Sequence, residues 1–150
     1  MKFVQNILNP LKEQCPRCLG KGEVSLDDIK RLKKELYWLP GSCAYCNGKG
    51  KVSRKMVQNV APDYVYLTHD LSDEERKRII SRDRNTLARG EQFQNQTEHQ
   101  IKEIKFLYFE AKLDIETIIN FYFLNVQDEA AKADFKTFVD FTKISLINSP

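Results

Sequence analysis

The chain has 150 residues, enough for one compact domain or for a small metal module joined to a larger domain. A hydrophobic fraction of 41% supplies a core, and a charged fraction of 30% speaks for a soluble protein. No apolar run approaches the roughly 18 residues that span a bilayer, and the N-terminus has neither a long apolar stretch nor a small-residue cleavage site. The expected setting is therefore the reducing cytoplasm, where disulfides are uncommon.

The net charge of +3 is unevenly spread. Residues 1–60 hold 12 Lys and Arg against 5 Asp and Glu, whereas residues 61–150 hold 12 against 16. A basic, glycine-bearing first part and an acidic, aromatic second part imply a division at 1–60 and 61–150.

In chain order, the first feature is a short repeat. CPRCLGKG (Cys15 to Gly22) returns as CAYCNGKG (Cys43 to Gly50), identical at five of eight positions and followed each time by a valine, Val24 and Val52. No further copy occurs. Between the copies, Ser25 or Asp27 is placed to cap a helix carrying Ile29, Leu32 and Leu36 on one face, with Pro40-Gly41 as its stop. Lys51 to Val60 reads as a strand, and so does Tyr64 to Leu67.

Ser72 and Glu75 have capping-box spacing and open a helix expected to run to a stop near Gly90. The polar stretch Glu91 to Thr97 reads as a loop. A periodic segment from Glu98 places Ile101, Ile104, Tyr108 and Ala111 on one stripe. Asp114 is placed to cap a helix with Ile115, Ile118, Ile119, Tyr122 and Val126, and Asp128 to cap the last, with Phe135, Phe138 and Thr142. Neither glycine nor proline occurs from Glu91 to Ser149, which agrees with a helical bundle. The expected fold is mainly α (α+β): a small zinc-bound β-hairpin module with an inserted helix, then a helical bundle.

The metal follows from the cysteines. All four, Cys15, Cys18, Cys43 and Cys46, lie in the two repeats. Structural zinc takes four tetrahedral ligands, commonly thiolates, and two Cys-x-x-Cys turns complete that shell. Gly20 and Gly48 suit the positive-φ turn that aims backbone N–H groups at sulfur, and Gly22 and Gly50 let the chain continue into a hairpin. Arg17, Lys21 and Lys49 are placed to offset the negative charge of a tetrathiolate. Iron in the same ligand set, a disulfide pair and a thiol redox centre are the competing readings. The compartment disfavours the disulfides, and no thioredoxin-like frame accompanies the motif.

At these residues the sequence resembles the cysteine-rich zinc module of DnaJ-type co-chaperones, whose repeat is Cys-x-x-Cys-x-Gly-x-Gly. The likeness covers residues 15 to 50. That family has four repeats and two zinc sites; two repeats here imply one structural ion. The His-Pro-Asp signature of the J-domain is missing, since Thr68-His69-Asp70 is the nearest string. The resemblance implies a zinc-stabilised module that holds polypeptides or docks proteins, without ATPase stimulation.

The remaining candidates are weaker. His69 and His99 have no partner at ligand spacing. The basic run Lys30, Arg31, Lys33 and Lys34, with Lys49, Lys51, Arg54 and Lys55, suits phosphate contacts, with Tyr37, Trp38 and Tyr45 available to stack on bases. A solvated face and packing of the zinc module explain the same residues. The second run, Arg76, Lys77, Arg78, Arg82, Arg84 and Arg89, alternates with acids and is read as surface pairing. Phe121, Tyr122 and Phe123 are consecutive, so on a helix they spread over about 200° and cannot all face one core. With Phe138 and Phe141, Phe121 and Phe123 mark a candidate interface for a protein partner or self-association. No catalytic constellation emerges. The sequence points to a non-enzymatic, chaperone-like adaptor, the alternative being a nucleic-acid-binding regulator that uses the basic zinc half.

Overall fold

The computed structural model describes residues 11–123 and 128–147. Among these the protein is mainly helical, with two small two-stranded antiparallel sheets. No described helix is long and apolar enough to cross a membrane. The described residues form two compact units. The first joins those up to Lys34 with Pro40–Gln94; the second joins Glu35–Leu39 with those from Asn95 onward. Residues 61–94 thus share a unit with the cysteines.

In the first unit, β1 (Lys12–Gln14) pairs with β4 (Lys51–Ser53), and β2 (Glu23–Val24) pairs with β3 (Gly41–Ser42). Each sheet therefore joins the strand before one repeat to the strand after the other. Between β2 and β3 lies α1 (Leu26–Arg31), the expected inserted helix. Ser25 caps it in a full capping box: its hydroxyl accepts from the Asp28 N–H at 3.3 Å, and its own N–H donates to Asp28 Oδ2 at 2.9 Å. The helix stops before Leu36 and before Pro40-Gly41. Lys33 turns left-handed at φ 56°, and the Lys34 N–H reaches back to the Ile29 carbonyl at 2.9 Å, a stop without the usual glycine.

One expected strand is shorter than the sequence implies and another is absent. The segment 51–60 is a strand only to Ser53, whose hydroxyl then caps α2 (Arg54–Asn59) by accepting from the Met56 N–H at 3.3 Å. Residues 64–67 are turns, because the carbonyls of Pro62, Tyr64 and Leu67 all bend toward one buried guanidinium, that of Arg17. The core of this unit holds Val24, Ile29, Tyr45, Val52, Met56, Val60, Val65, Leu67 and Ile79.

The helix expected over 71–90 is two helices. α3 (Asp73–Ile80) is capped by Ser72 and ends where Arg82 turns left-handed at φ 59°. Asp83 then opens α4 (Arg84–Lys105) by accepting from the N–H and hydroxyl of the buried Thr86 at 2.9 and 3.0 Å. This helix passes through Gly90 and through the polar stretch 91–97, whose Glu and Gln residues are good helix formers. Gly90 is no stop: a Cβ there would collide with the Tyr64 hydroxyl and lie 3.1 Å from the Tyr66 ring. Phe93 on the same helix packs at 5.4 Å from Tyr66.

In the second unit the periodic segment continues past α4 as a π-turn, Phe106–Glu110, closed by the Ala111 N–H on the Phe106 carbonyl at 3.0 Å. Asp114 caps α5 (Ile115–Tyr122) through the Thr117 N–H at 2.8 Å. Asp128 caps α6 (Glu129–Ile147) through the N–H groups of Ala130 and Ala131. Ile101, Ile104, Ile118, Ile119 and Val139 are the buried aliphatics. Val126 and the side chain of Thr142 lie outside the described residues.

The Tyr64 hydroxyl is buried with no hydrogen-bond partner among the described residues. Tyr64→Phe should therefore raise stability by about 1 kcal/mol. Gly90→Ala should lower it by about 1–2 kcal/mol despite alanine's helix propensity, and Tyr64→Phe in that background should recover most of the loss. Chemical denaturation of the four proteins checks both.

Candidate metal centre

The two eight-residue repeats are the visible part of a longer one. With a constant offset of 28, β2 maps onto the start of β4, Ser25 onto Ser53, and α1 onto α2. Backbone geometry follows the same offset. Leu19 and Asn47 both have φ 52°, Gly20 and Gly48 have 84° and 75°, and Gly22 and Gly50 have 80° and 74°. The copies clasp each other reciprocally. The Cys15 N–H donates to the Gly50 carbonyl and the Cys43 N–H to the Gly22 carbonyl, both at 2.9 Å. A Cβ at Gly22 would sit 2.5 Å from the Gly48 carbonyl oxygen, and one at Gly50 would meet the Gly20 carbonyl. Glycine is required at these two positions by the close approach of the opposite copy as well as by positive φ.

This clasp brings Cys15, Cys18, Cys43 and Cys46 together. All are buried, and their sulfurs lie within 4.8 Å of one another. Two of the cross-copy pairs, Cys15–Cys43 and Cys18–Cys46, are 3.8 Å apart. Four thiolates arranged tetrahedrally at about 2.3 Å from zinc have edges of about 3.8 Å, whereas a disulfide needs about 2.0 Å. The donor set fits a tetrathiolate metal site, and all four cysteines are unlinked. The hydrogen bonds to sulfur come from Gly22 to Cys18 at 3.3 Å and from Gly50 to Cys46 at 3.2 Å. Gly20 and Gly48 supply the turns that precede these donors. The hydrogen bond between Cys15 and Cys43 draws the Cys43 thiol down, and the same bond with burial holds Cys15 up.

Of the cations expected to balance the thiolates, only Arg17 does so. It is 2% exposed, donates to the carbonyls of Pro62, Tyr64 and Leu67, and lies 5.4 Å from the Tyr45 ring centroid. Burial lowers it to about 10, while the charges of Cys43 and Cys15 act the other way. Lys21 instead bonds Asp28 at 2.5 Å and Ser25 at 3.1 Å, and Lys49 is exposed. Burial alone would raise Asp28, but Lys21 and Ser25 outweigh it and hold it near about 2.

The second balancing cation is Arg76, from the basic run to which the sequence assigned no site. Burial lowers it, and Cys46, Cys43 and Cys15 oppose that. Its guanidinium also donates to the carbonyls of Ala44 and Tyr45 inside the second Cys-x-x-Cys turn. Arg31 does the same in the first, donating to Pro16 and Arg17 at 3.2 and 2.7 Å. Each turn thus has its two inner carbonyls gathered by one arginine. Asn59 stands where Arg31 would repeat, and its side chain bonds the Ile80 carbonyl instead at 2.7 Å, so the second turn takes its arginine from α3. Sequence spacing held no sign of Arg76, which acts on carbonyls 31 and 32 residues earlier.

The other sequence candidates stand apart. His69 Nε2 lies 2.7 Å from the Ser42 carbonyl, His99 is exposed on α4, and neither joins the cysteines. Tyr45 is fully buried, its hydroxyl donating to the Val60 carbonyl at 2.8 Å, so it cannot stack on a base. Tyr37 and Trp38 are half-buried in the second unit. Phe121 is 55% exposed; Phe123 and Phe138 are half-buried around Phe135, and the Phe141 side chain lies outside the described residues. An open cleft of about 630 Å³ beside the π-turn is lined by Tyr108, Phe109 and Leu113. Its two acids are engaged, Asp114 in capping and Glu116 with Lys136 at 2.7 Å, so no free acid converges there.

Two substitutions probe the site. Arg76→Ala unpairs two carbonyls and leaves thiolate charge unbalanced, so it should cost about 2–4 kcal/mol and weaken metal binding; Arg76→Lys, lacking the planar fork, should recover less than half. Leu19→Asn should stabilise the loaded protein by about 1 kcal/mol, because leucine resists the left-handed conformation that asparagine tolerates. Thermal unfolding and chelator competition measure both.

Compared with known proteins, the chain matches no family model, no curated protein and no solved structure.

Proposed function

We propose that the chain is a non-enzymatic adaptor in which one structural zinc ion fixes the shape of a docking surface. The convergence of four buried thiols carries this reading. Four protein ligands complete a tetrahedral shell and leave no position for substrate, which is the mark of structural rather than catalytic zinc. The likeness of both repeats to the DnaJ zinc module supports a role in holding or docking polypeptides. The second unit supplies the contact surface for a protein partner or another copy, with Phe106 and Phe121 more than half exposed. Unlinked cysteines agree with a cytoplasmic setting.

Metal analysis of purified protein should return one zinc per chain and no visible absorption of the kind iron thiolates give. Chelation should unfold the first unit, since structural zinc binding contributes on the order of 10 kcal/mol. A pull-down with the intact chain beside Cys43→Ser should lose the partner in the variant. A protein without stoichiometric metal, or one folded after chelation, would sink the proposal.

A further inference from the structure

The two copies of the repeat share a backbone but differ in charge at several matched positions. At matched positions, Glu23 corresponds to Lys51, Asp27 to Lys55, and the acid Asp28 to the apolar Met56. Lys21 and Lys49 also correspond, yet Lys21 is neutralised by Asp28, while Lys49 has no ion-pair partner among the described residues. The first copy shows that the fold accepts acids where the second has lysines.

These lysines gather around one ribbon. In the β1–β4 register, Lys12 faces Ser53 and Gln14 faces Lys51, so all four share the outward face, while Val52 is buried behind it. Lys12 and Lys51 are diagonal neighbours, about 7 Å apart along such a ladder. Lys49 precedes the strand and Lys55 follows it. Lys12, Lys49, Lys51 and Lys55 are exposed and have no ion-pair partner among the described residues. The acid of the ribbon, Glu13, belongs to the other face and is held by Arg54 at 2.7 Å. The metal does not need these charges, because Arg17 and Arg76 are placed to balance it.

We propose that Lys12, Lys49, Lys51 and Lys55 form a docking face for the phosphate backbone of a nucleic acid. Lysines act as point charges and suit phosphates without reading sequence. Among the described residues the outward face of the ribbon holds no apolar anchor of the kind a protein interface uses at its centre. With Tyr45 buried, contact is to backbone rather than stacked bases. This face goes beyond the adaptor reading and needs only a folded first unit. Leu11 and Leu19, 61% and 50% exposed, flank the ribbon and make an anionic membrane the competing occupant.

The test measures binding of the full metal-loaded chain to labelled single-stranded and duplex oligonucleotides across a salt series. Phosphatidylserine vesicles and polyglutamate serve as the other anionic surfaces. K12Q/K51Q should lower oligonucleotide affinity about tenfold or more at low salt and reduce the salt slope by about two. K30Q/K33Q removes the same charge from the last turn of α1 and the residue that turns out of it, and should change affinity less than threefold. Metal content of each variant confirms that the first unit remains folded. No oligonucleotide binding, equal losses from the two pairs, or tighter binding to vesicles or polyglutamate would each overturn the proposal.

Discussion

The reciprocal clasp between the two Cys-x-x-Cys turns is the constraint on which the first unit depends. Each cysteine pair is delivered by a turn whose following glycine lies against a carbonyl of the opposite copy. The cross-copy hydrogen bonds from Cys15 and Cys43 fix the separation of the turns, and that separation fixes the distances between sulfurs. Any side chain at Gly22 or Gly50 would push the turns apart and open the tetrahedron. Neither half holds its two ligands in place alone, so metal binding and folding of this unit are one process.

Charge is handled in two layers. Close to the sulfurs, the buried Arg17 links the first metal turn to the carbonyls of Pro62, Tyr64 and Leu67, and the half-buried Arg76 reaches from α3 to the carbonyls of the second turn. These carbonyls would otherwise be unpaired in a dry interior, so the arginines satisfy backbone and balance thiolate at once. Farther out, lysines stand in solvent. The division explains why Lys21 and Lys49, sequence neighbours of the ligands, play no part in the inner layer.

Local signals were legible wherever a residue acts on its own neighbourhood. The ligand set, the caps at Ser25, Asp114 and Asp128, and the helical character of the second half follow from short-range pattern. What escaped the sequence acts over distance or through unusual residues. Lys33 and Arg82 end helices in a conformation usually given to glycine, so both ends were misplaced. Gly90, which sequence reads as punctuation, is instead a clearance for Tyr64 from another segment. The turns at 64–67 owe their shape to Arg17, nearly 50 residues earlier, and Arg76 finds the second metal turn only once α3 is folded against it. The repeat itself looked short because beyond Ser53 it persists in backbone and not in side-chain identity.

The exchange of strands between copies has a topological consequence. Each sheet takes one strand from either side, and the sulfur cage takes two atoms from either side. Every bond of the clasp therefore joins two half-modules and is indifferent to whether one polypeptide or two supplied them. Within this one chain the two half-modules are joined by the segment from Leu32 to Pro40, which carries the polypeptide from α1 to β3.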